Sequence, residues 1–378
     1  MDNGATSFPK APGVAEKVYE YLMHIGTNIN RGAYTDAFES ENVVFETREQ
    51  LCSLFGFEEP ENVVFTKNVT ESLNVLLKGL FKSGDHVIVS SMEHNAVMRP
   101  LNRLESKGVT YSRTLCDSEG NLDLENFKNL IKPNTKGIVM THASNVCGTI
   151  LNLEEVGKIC KERKLLFIID TAQTAGAIKV DFKTLNADAI AFTGHKSLLG
   201  PQGIGGFMVK EQLASKIETL IEGGTGSLSD TEYQPEYMPD KFEAGTLNVP
   251  GIFGLNAALK YLDEIGIEAI FQKEIQLTEL FLEKLLNMEH IEVIGKKSVK
   301  ERTAIVSIDF KNEDNGEMSH RLANDYGIMT RSGMHCAPSA HRTLGTFPRG
   351  TVRFGLGHFL DVKDVLYAAD CIYRLKAY

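Results

Sequence analysis

The chain has 378 residues, 42% of them hydrophobic and 24% charged, and a formal net charge of −10 at pH 7. This composition is that of a globular protein with a large core, and the length favours one large and one smaller domain. The negative charge argues against nucleic acid as the main partner. No apolar run is long enough to span a bilayer, so we expect no membrane association.

The cysteine content and the first residues bear on the compartment. Six cysteines without a pairing pattern fit a reducing cytoplasm better than a disulfide framework. Met1 is followed directly by Asp2, without the basic and apolar stretches of a secretory signal. We therefore expect a cytoplasmic protein.

Short apolar runs alternate with helical patterns from about residue 60 onwards. The runs are VVFT (63–66), HVIVS (86–90), GIVMTHA (137–143), LLFIID (165–170) and AIAFTG (189–194). Apolar residues at helical spacing follow the first three runs. Such alternation predicts an α/β fold with a mostly parallel sheet and flanking helices.

The pattern changes near Pro250. Two helical patterns (251–266 and 267–288) precede the short strand patterns IEVIG, AIVSIDF, IMTRSG and TVRFGLG, which predicts a smaller α+β domain. We place the large domain at residues 15–255, and the small domain at residues 256–378 together with the segment 1–14.

Two further segments lack regular patterns. The turn-rich segment DNGATSFPKAP (2–12) is expected to lie over the surface. The stretch 223–246 is predicted to be a long irregular loop, and such loops are usually functional.

Polar residues follow the carboxyl ends of the predicted strands. They are Thr66-Lys67-Asn68, His94, Ser144-Asn145, Asp170 and the run Thr193–Lys196. Ligands of open α/β sheets bind at these ends. We therefore expect the five groups to converge on one crevice.

Lys196 lies between two segments that look buried, DAIAFT and the glycine-rich LLGPQGIGGFMV. A lysine in a dry site has a lowered pKa and a usable neutral amine, which can form a Schiff base. Pyridoxal 5′-phosphate (PLP) needs such a lysine, a carboxylate for its pyridine nitrogen and an anion site for its phosphate. Asp170 closes the preceding strand and supplies a carboxylate.

Other crevice residues fit the same cofactor. Asn68-Val-Thr-Glu71 resembles a capping box, and the N-terminus of the helix it opens would be a phosphate site. Thr193 and His195 flank Lys196 and add donors, while His94 offers a flat ring for stacking. Each residue alone has an ordinary explanation, such as a helix cap or a snorkelling lysine. Their joint placement favours a cofactor site.

Motifs spread over nearly the whole chain resemble the class V aminotransferase-fold group of PLP enzymes, specifically the cysteine desulfurases and selenocysteine lyases. They are DNGATSFPKAP (2–12), NVTESLN (68–74), EHNA (93–96), HASNVCGT (142–149), DTAQTAG (170–176), TGHKSLLGPQGIGG (193–206), FEAGTLN (242–248) and RSGMHCAP (331–338). One departure is Gly4, where alanine is usual in this group.

The resemblance implies PLP-dependent transferase fold type I. Lys196 would bind the cofactor as a Schiff base, Asp170 would pair with its pyridine nitrogen and His94 would stack on its ring. The remaining cofactor contacts implied are Asn145 and Gln173 to the phenolic oxygen, and Thr70, Thr193 and His195 to the phosphate.

The resemblance also implies an assembly and a substrate site. Thr246 would reach the phosphate of the neighbouring subunit, which implies a homodimer with shared active sites. Arg353 would grip the substrate carboxylate as a fork. Arg331 and Asn145 would line the same pocket.

Cys336 would be the nucleophile that takes sulfur from the substrate. It follows Arg331 and His335 and precedes His341 and Arg342, so we expect an accessible thiol in a field that favours the thiolate. Cys336, His335 and His341 as metal ligands are a weaker alternative, because no second cysteine pair completes a tetrahedral set. We predict no metal site. The cysteines read as structural are Cys52, Cys116, Cys147, Cys160 and Cys371.

The favoured function is that of a cysteine desulfurase, which converts L-cysteine to L-alanine with a persulfide on Cys336 for a sulfur-acceptor protein. The alternatives are a selenocysteine lyase acting on L-selenocysteine and serving a selenium acceptor, another β-lyase, or an aminotransferase. A non-catalytic dimeric scaffold is disfavoured, since no crevice residue is missing. A dinucleotide site is not predicted, because GPQGIGG does not match G-x-G-x-x-G.

Overall fold

The computed structural model describes residues 1–29, 32 and 34–375. Residues 376–378 of the predicted small domain, and 30, 31 and 33 of the large one, lie outside the described residues. The described residues form two α/β layers, each built on its own sheet.

The larger sheet has seven strands among the described residues. They are β1 Val63–Thr66, β2 His86–Ser90, β3 Thr110–Thr114, β4 Thr135–Thr141, β5 Leu166–Asp170, β6 Ala189–Thr193 and β7 Gly205–Val209. Their order is β1-β7-β6-β5-β4-β2-β3, and all pairs are parallel except those that β7 makes with β1 and β6. The mostly parallel sheet is thus confirmed, while β3 and β7 were not among the predicted strands.

Helices cover both faces of this sheet. They are α1 Val14–Glu20, α2 Thr35–Phe55, α3 Val69–Leu80, α4 Asn95–Glu105, α5 Leu124–Asn129, α6 Leu153–Arg163, α7 Glu211–Ala214 and α8 Val249–Ile265. A π-helical turn, Tyr21–Ile25, extends α1, and a 3-10 turn, Pro60–Asn62, leads into β1. Because successive strand residues point to opposite faces, Ile138 and Ile169 join one apolar core, and Val139 and Ile168 join the other.

The smaller layer carries a four-stranded antiparallel sheet in the order β10-β11-β9-β8. Its elements are α9 Ile267–Leu286, β8 Ile291–Ile294, β9 Ile305–Phe310, α10 Asn315–Tyr326, β10 Arg331–Gly333, α11 Pro338–Thr343, β11 Thr351–Gly355 and α12 Val362–Arg374. Phe281, Ile308 and Phe354 lie in its separate core. The predicted smaller α+β layer is present.

The expected domain boundary after residue 255 falls inside α8. Leu255, Ala258 and Leu262 on either side of that point all belong to the core of the larger layer, because α8 packs on α1 and α2. We therefore propose the boundary at Gly266, where α8 ends and α9 begins.

The N-terminal segment does not simply lie over the surface as expected. Gly4 and Ser7 are buried, and Asp2 forms a parallel bridge with Gly355 of β11. The segment is drawn inward because its polar groups hydrogen-bond to both layers. The predicted irregular loop 223–246 is confirmed, since it contains neither helix nor strand. In the described part of the chain, no helix is both long and apolar enough to cross a membrane.

Candidate active site

Lys196 lies in a tight turn between β6 and β7. Gly194 N–H donates to the Ile204 carbonyl at 2.9 Å, and Gly200 N–H donates to the Gly194 carbonyl at 2.8 Å. The turn places the lysine at the carboxyl end of β6, where its side chain is half-buried. Burial lowers the pKa of Lys196 to about 8, Asp170 opposes this effect, and the Arg353 guanidinium adds to it.

Asp170 ends β5 and is only 2% exposed. Its Oδ1 accepts the Ala172 N–H at 2.9 Å. Burial raises the pKa of Asp170, while the Ala172 hydrogen bond and the nearby Lys196 oppose the shift. A carboxyl in this position is suited to a cationic nitrogen that would compensate its burial.

His94 is the N-cap residue of α4, at the carboxyl end of β2. Its Nδ1 accepts the Ala96 N–H at 3.0 Å, so the ring proton lies on Nε2. Burial, together with the nearby cations Lys196 and Arg331, lowers the pKa of His94 to about 4. The ring is therefore neutral near pH 7 and presents a flat face for stacking.

Two buried polar atoms beside Lys196 have no hydrogen-bond partner among the described residues. They are Thr193 Oγ1 and His195 Nδ1. Buried polar atoms are nearly always satisfied, so this pair indicates a missing polar group. A phosphate, which accepts from both atoms, fits them.

The N-terminus of α3 lies next to these atoms. Gly205 pairs with Thr193 across the sheet, and an added Cβ there would lie 2.8 Å from Asn68 Cα. As predicted, Asn68 caps the helix: its Oδ1 accepts the Glu71 N–H at 3.0 Å. Thr70 is exposed in the first turn. The helix end and the two unpartnered atoms together suit a phosphate by charge and by geometry; we call them the phosphate cradle.

Cys336 lies in a short loop that hydrogen bonds from Asn145 and Asn95 fix. Its φ is 59°, and that of His335 is 47°, which is the left-handed region that residues with a side chain rarely adopt. Asn145 Nδ2 donates to the His335 carbonyl at 2.7 Å, and Asn95 N–H donates to the Cys336 carbonyl at 2.8 Å. Arg331 Nη2 lies 3.5 Å from Cys336 Sγ. The half-buried thiol is thus held beside a guanidinium.

The two histidines near Cys336 do not contribute the positive field that the sequence suggested. Burial lowers the pKa of His335 to about 2 and that of His341 to about 4, so both rings are neutral. They hydrogen-bond to Thr351 and Thr346 at 2.9 Å and 2.7 Å. Across the described residues, no group of three His, Cys, Asp or Glu side chains is placed to hold a metal ion.

Arg353 of β11 is 1% exposed and faces the same crevice. Its Nη1 donates to the Asn145 carbonyl at 3.0 Å, and its Nη2 pairs with Asp2 at 3.2 Å. The Nε donor is buried without a partner among the described residues. A substrate carboxylate would satisfy that donor.

Three predicted cofactor contacts have other partners or positions. Gln173 Nε2 donates to the Gly4 carbonyl at 3.1 Å, and one Asn145 amide hydrogen is used by the Cys336 loop. Thr246 is exposed and lines a surface groove with Lys67 and Glu71. Within one protomer, Thr246 and Lys196 therefore line different cavities.

Sequence reasoning missed the buried carboxyl of Glu93. It accepts hydrogen bonds from the Ser90 hydroxyl and from the Thr141 N–H, and so joins the ends of β2 and β4. Burial raises its pKa to about 8. A glutamate three residues after the apolar run HVIVS, directly before His94, was the signal available.

The other cysteines have inert surroundings. Cys52, Cys147, Cys160 and Cys371 are buried, Cys116 is half-buried, and all six are free thiols. Burial raises the pKa of Cys52 and of Cys116 to about 12. This agrees with the structural role predicted for them.

Cavity volume alone does not identify the candidate site. A groove of about 980 Å³ is lined by charged side chains of both signs, among them Glu119, Lys179 and Lys296, and it excludes Lys196. The cavity that Lys196 lines with Gly4 and Gln173 is only about 30 Å³. The converging polar groups, with their unpartnered atoms, define the candidate site instead.

A half-buried lysine and a buried carboxyl thus lie at adjacent strand ends, and two buried polar atoms without partners lie beside the lysine. The sequence pattern of the aminotransferase class-V family matches residues 1–367, and the chain belongs to that family.

Two archaeal relatives are similar over nearly their whole length. A probable cysteine desulfurase of Pyrococcus abyssi is 34% identical over 372 residues, 97% of this chain and 91% of the relative. One of Methanothermobacter thermautotrophicus is 32% identical over 367 residues, 96% of this chain and 91% of the relative.

Solved structures give the same result. The apo structure of the cysteine desulfurase of Thermococcus onnurineus NA1 superposes with a TM-score of 0.93 at 33% identity, covering 99% of this chain and 93% of that one. The cysteine desulfurase CsdA of Escherichia coli superposes with a TM-score of 0.89 at 26% identity, over 99% and 93%. The predicted fold class and family are confirmed.

Proposed function

We propose that this protein is a PLP-dependent cysteine desulfurase that converts L-cysteine to L-alanine and keeps the sulfur as a persulfide on Cys336. The observation that carries the proposal is the convergence of Lys196, Asp170, Arg353 and Cys336 on one crevice. Their charges influence one another there: Asp170, Arg353 and Cys336 each act on the pKa of Lys196. Relatives named cysteine desulfurase support the same activity.

The cofactor would be held by residues already described. Lys196 would bind its aldehyde, Asp170 its ring nitrogen, His94 one ring face, and Thr193 with His195 its phosphate. Asn145 and Gln173 would approach the phenolic oxygen, and Thr70 the phosphate from the first turn of α3. When bound, PLP supplies an electron sink for the bonds around the substrate α-carbon.

The substrate would enter with its carboxylate toward Arg353. The Nε of this arginine is a buried donor without a partner among the described residues, and a carboxylate pairs with a guanidinium in a fork. Arg331 adds a second cation on the neighbouring strand, since Arg331 and Arg353 are paired across β10 and β11. This arrangement would leave the side chain of cysteine directed toward Cys336.

Cys336 would then take the sulfur. Its thiolate forms a bond to the substrate sulfur while the Cβ–S bond of the substrate breaks. The electron pair of that bond remains with the carbon skeleton, which is protonated and leaves as alanine. The product on the protein is a Cys336 persulfide, available to an acceptor protein. The guanidinium of Arg331 lies 3.5 Å from Sγ, where it can donate a hydrogen bond to the sulfur.

The active assembly would be a homodimer in a reducing compartment such as the cytoplasm. Large apolar side chains are exposed in the segment before Thr246: Leu220, Ile221 and Leu228 are each 41–48% exposed, and Tyr233 is 86% exposed. Such a patch supports an interface, here with a second copy of the chain. The six free thiols support the compartment.

Product analysis of the purified protein tests this function. With PLP, L-cysteine should yield alanine and a protein persulfide in equal amounts during the first turnover. Selenocysteine is assayed in parallel, because it presents the same carboxylate and amine. Lys196→Ala should be colourless and inactive. A wild-type protein that PLP cannot turn yellow would contradict the proposal.

A further inference from the structure

The carbonyl oxygen of His195, one peptide bond before Lys196, is surrounded by donors from the N-terminal segment. Thr6 Oγ1 donates at 3.0 Å, the Ser7 N–H at 3.0 Å and Ser7 Oγ at 3.2 Å. Lys10 Nζ adds a charge-assisted bond at 2.9 Å. A carbonyl oxygen has two lone pairs, so four donors saturate it. We call Thr6, Ser7 and Lys10 the His195 clamp.

Lys10 is held in this place by neutral oxygens. Its ammonium also donates to Thr6 Oγ1 at 3.2 Å and to Ser7 Oγ at 3.1 Å, and in the described part of the chain no carboxylate forms an ion pair with it. A half-buried cation without a counter-ion costs stability. Its burial also lowers its pKa to about 8. The position therefore points to a task other than stability.

The segment that carries the clamp also touches the rest of the crevice. Asp2 pairs with Arg353 at 3.2 Å, the Gly4 carbonyl accepts from Gln173, and Ala11 N–H donates to the Leu199 carbonyl at 3.1 Å. Residues 2–11 thus run from the proposed carboxylate site to the turn that holds Lys196.

We propose that Lys10 is a positioning residue for Lys196, an inference that rests on the proposed role of Lys196 as the cofactor lysine. Through the His195 clamp, Lys10 fixes the peptide plane before Lys196 and so the direction in which the lysine side chain enters the crevice. Fixing this plane matters because a misplacement of about 1 Å at a reacting group can lower a rate about 100-fold.

Three variants of the holoenzyme test the proposal. Lys10→Met removes the donor and keeps the stem, Lys10→Arg restores a cationic donor, and Lys17→Met is the matched control, an exposed lysine that pairs with Glu20 outside the clamp. In Lys10→Met we expect the kcat for alanine formation to fall about 10-fold, the loss expected for one charge-assisted hydrogen bond. KM should stay within about twofold, because the carboxylate site is intact. Lys10→Arg should recover most of the rate, and Lys17→Met should match wild type.

The same variants are compared without cofactor by hydrogen–deuterium exchange. The Ser7 amide, which donates to the clamped carbonyl, and the turn 194–200 should exchange faster in Lys10→Met than in wild type or in Lys17→Met. Unchanged kcat and unchanged Ser7 exchange in Lys10→Met would overturn the proposal, even if its melting temperature fell. A wild-type protein that makes no alanine would refute the proposed function instead, and the exchange comparison would still test the clamp.

Discussion

Lys196 is the residue whose protonation state matters most to the proposed chemistry. Burial lowers its pKa from 10.5 to about 8, so the free-energy cost of burying its charge is fully present below pH 8. Between pH 8 and 10.5 the unfolded chain keeps the proton that the folded chain has lost. The contribution of this lysine to the stability of the apoprotein therefore rises with pH across that window.

The pH dependence of PLP uptake by the apoprotein follows from this shift. Only the neutral amine attacks an aldehyde, so the rate of uptake, measured by absorbance, should rise with a midpoint near pH 8. Arg353→Met removes a nearby cation and should move the midpoint upward, while Asp170→Asn removes a nearby anion and should move it downward. A wild-type midpoint near the ordinary lysine pKa would contradict the buried environment.

Replacing Asp170 should separate turnover from folding. In Asp170→Asn, alanine formation should fall about 100-fold or more, as when a preorganised group at a reacting centre is lost. Since burial raises the pKa of Asp170 above 3.8, the protonated carboxyl favours the folded state. This contribution to stability is complete below pH 3.8 and is lost as the pH rises through the pKa of the folded state. The neutral amide avoids that loss, so the variant apoprotein should unfold at pH 7 no more easily than wild type.

The control for this substitution is Asp314→Asn. Asp314 caps α10 and is not one of the crevice residues described above, and asparagine is an equally good cap. Turnover and melting temperature should both be unchanged in the control. Near-normal alanine formation by PLP-loaded Asp170→Asn would refute the role of Asp170.

Among single residues, the sequence identifies those that end an apolar strand run or follow it closely. Asp170, His94 and Thr193 were found in this way, because a polar side chain after a buried strand is conspicuous. Lys10 was missed because its partner His195 is 185 positions away, and no local pattern encodes that contact. The neutrality of His335 was missed because burial is a tertiary property.

Among the elements, β7 shows why part of the sheet was not predicted. Its sequence begins with two glycines, which are depleted in strands. The reason for them is tertiary: a Cβ on Gly205 would lie 2.8 Å from both Asn68 Cα and the Phe192 carbonyl oxygen. The glycine lets the N-terminus of α3 approach β6, as the proposed phosphate cradle requires. β3 was missed for a different reason, because its residues TYSRT are mostly exposed or half-buried and give no apolar run.

Gly205→Ala tests this account of β7. Both clashing atoms belong to the backbone, so the helix must shift, and we expect a loss of about 1–3 kcal/mol in the free energy of unfolding. PLP should also bind more weakly. Gly223→Ala is the matched control, since the nearest atom to its added Cβ lies at 3.8 Å. Equal stability and PLP affinity of the two variants would show that the cradle does not need the close approach.

For the whole molecule, the two-layer architecture was predictable because the alternation of strands and helices is strong and local. The boundary between the layers was not predictable, because the sequence of α8 fits a helix of either layer. Only its packing against α1 and α2 assigns it to the larger one.

The proposed homodimer predicts how the molecule sediments. Wild type should sediment as a dimer, because the exposed Leu220 and Ile221 would be covered by the second copy. The double variant Leu220→Glu, Ile221→Glu should sediment as a monomer and lose PLP and activity, since Thr246 would no longer reach the other subunit. Leu286→Glu, an exposed leucine on α9, is the control and should stay dimeric. A fully active wild-type monomer would refute the shared site.

Alanine formation by Cys336→Ala, at equal PLP content, tests the proposed function most directly. With L-cysteine the variant should lose activity about 100-fold or more, the scale for removing a catalytic nucleophile. With L-selenocysteine it should keep a larger share, because a selenol is more acidic than a thiol and leaves carbon more easily. Cys116→Ala, a half-buried cysteine elsewhere, should behave like wild type with both substrates. Unchanged alanine formation from L-cysteine in Cys336→Ala would remove Cys336 from the mechanism and contradict the assignment as a desulfurase.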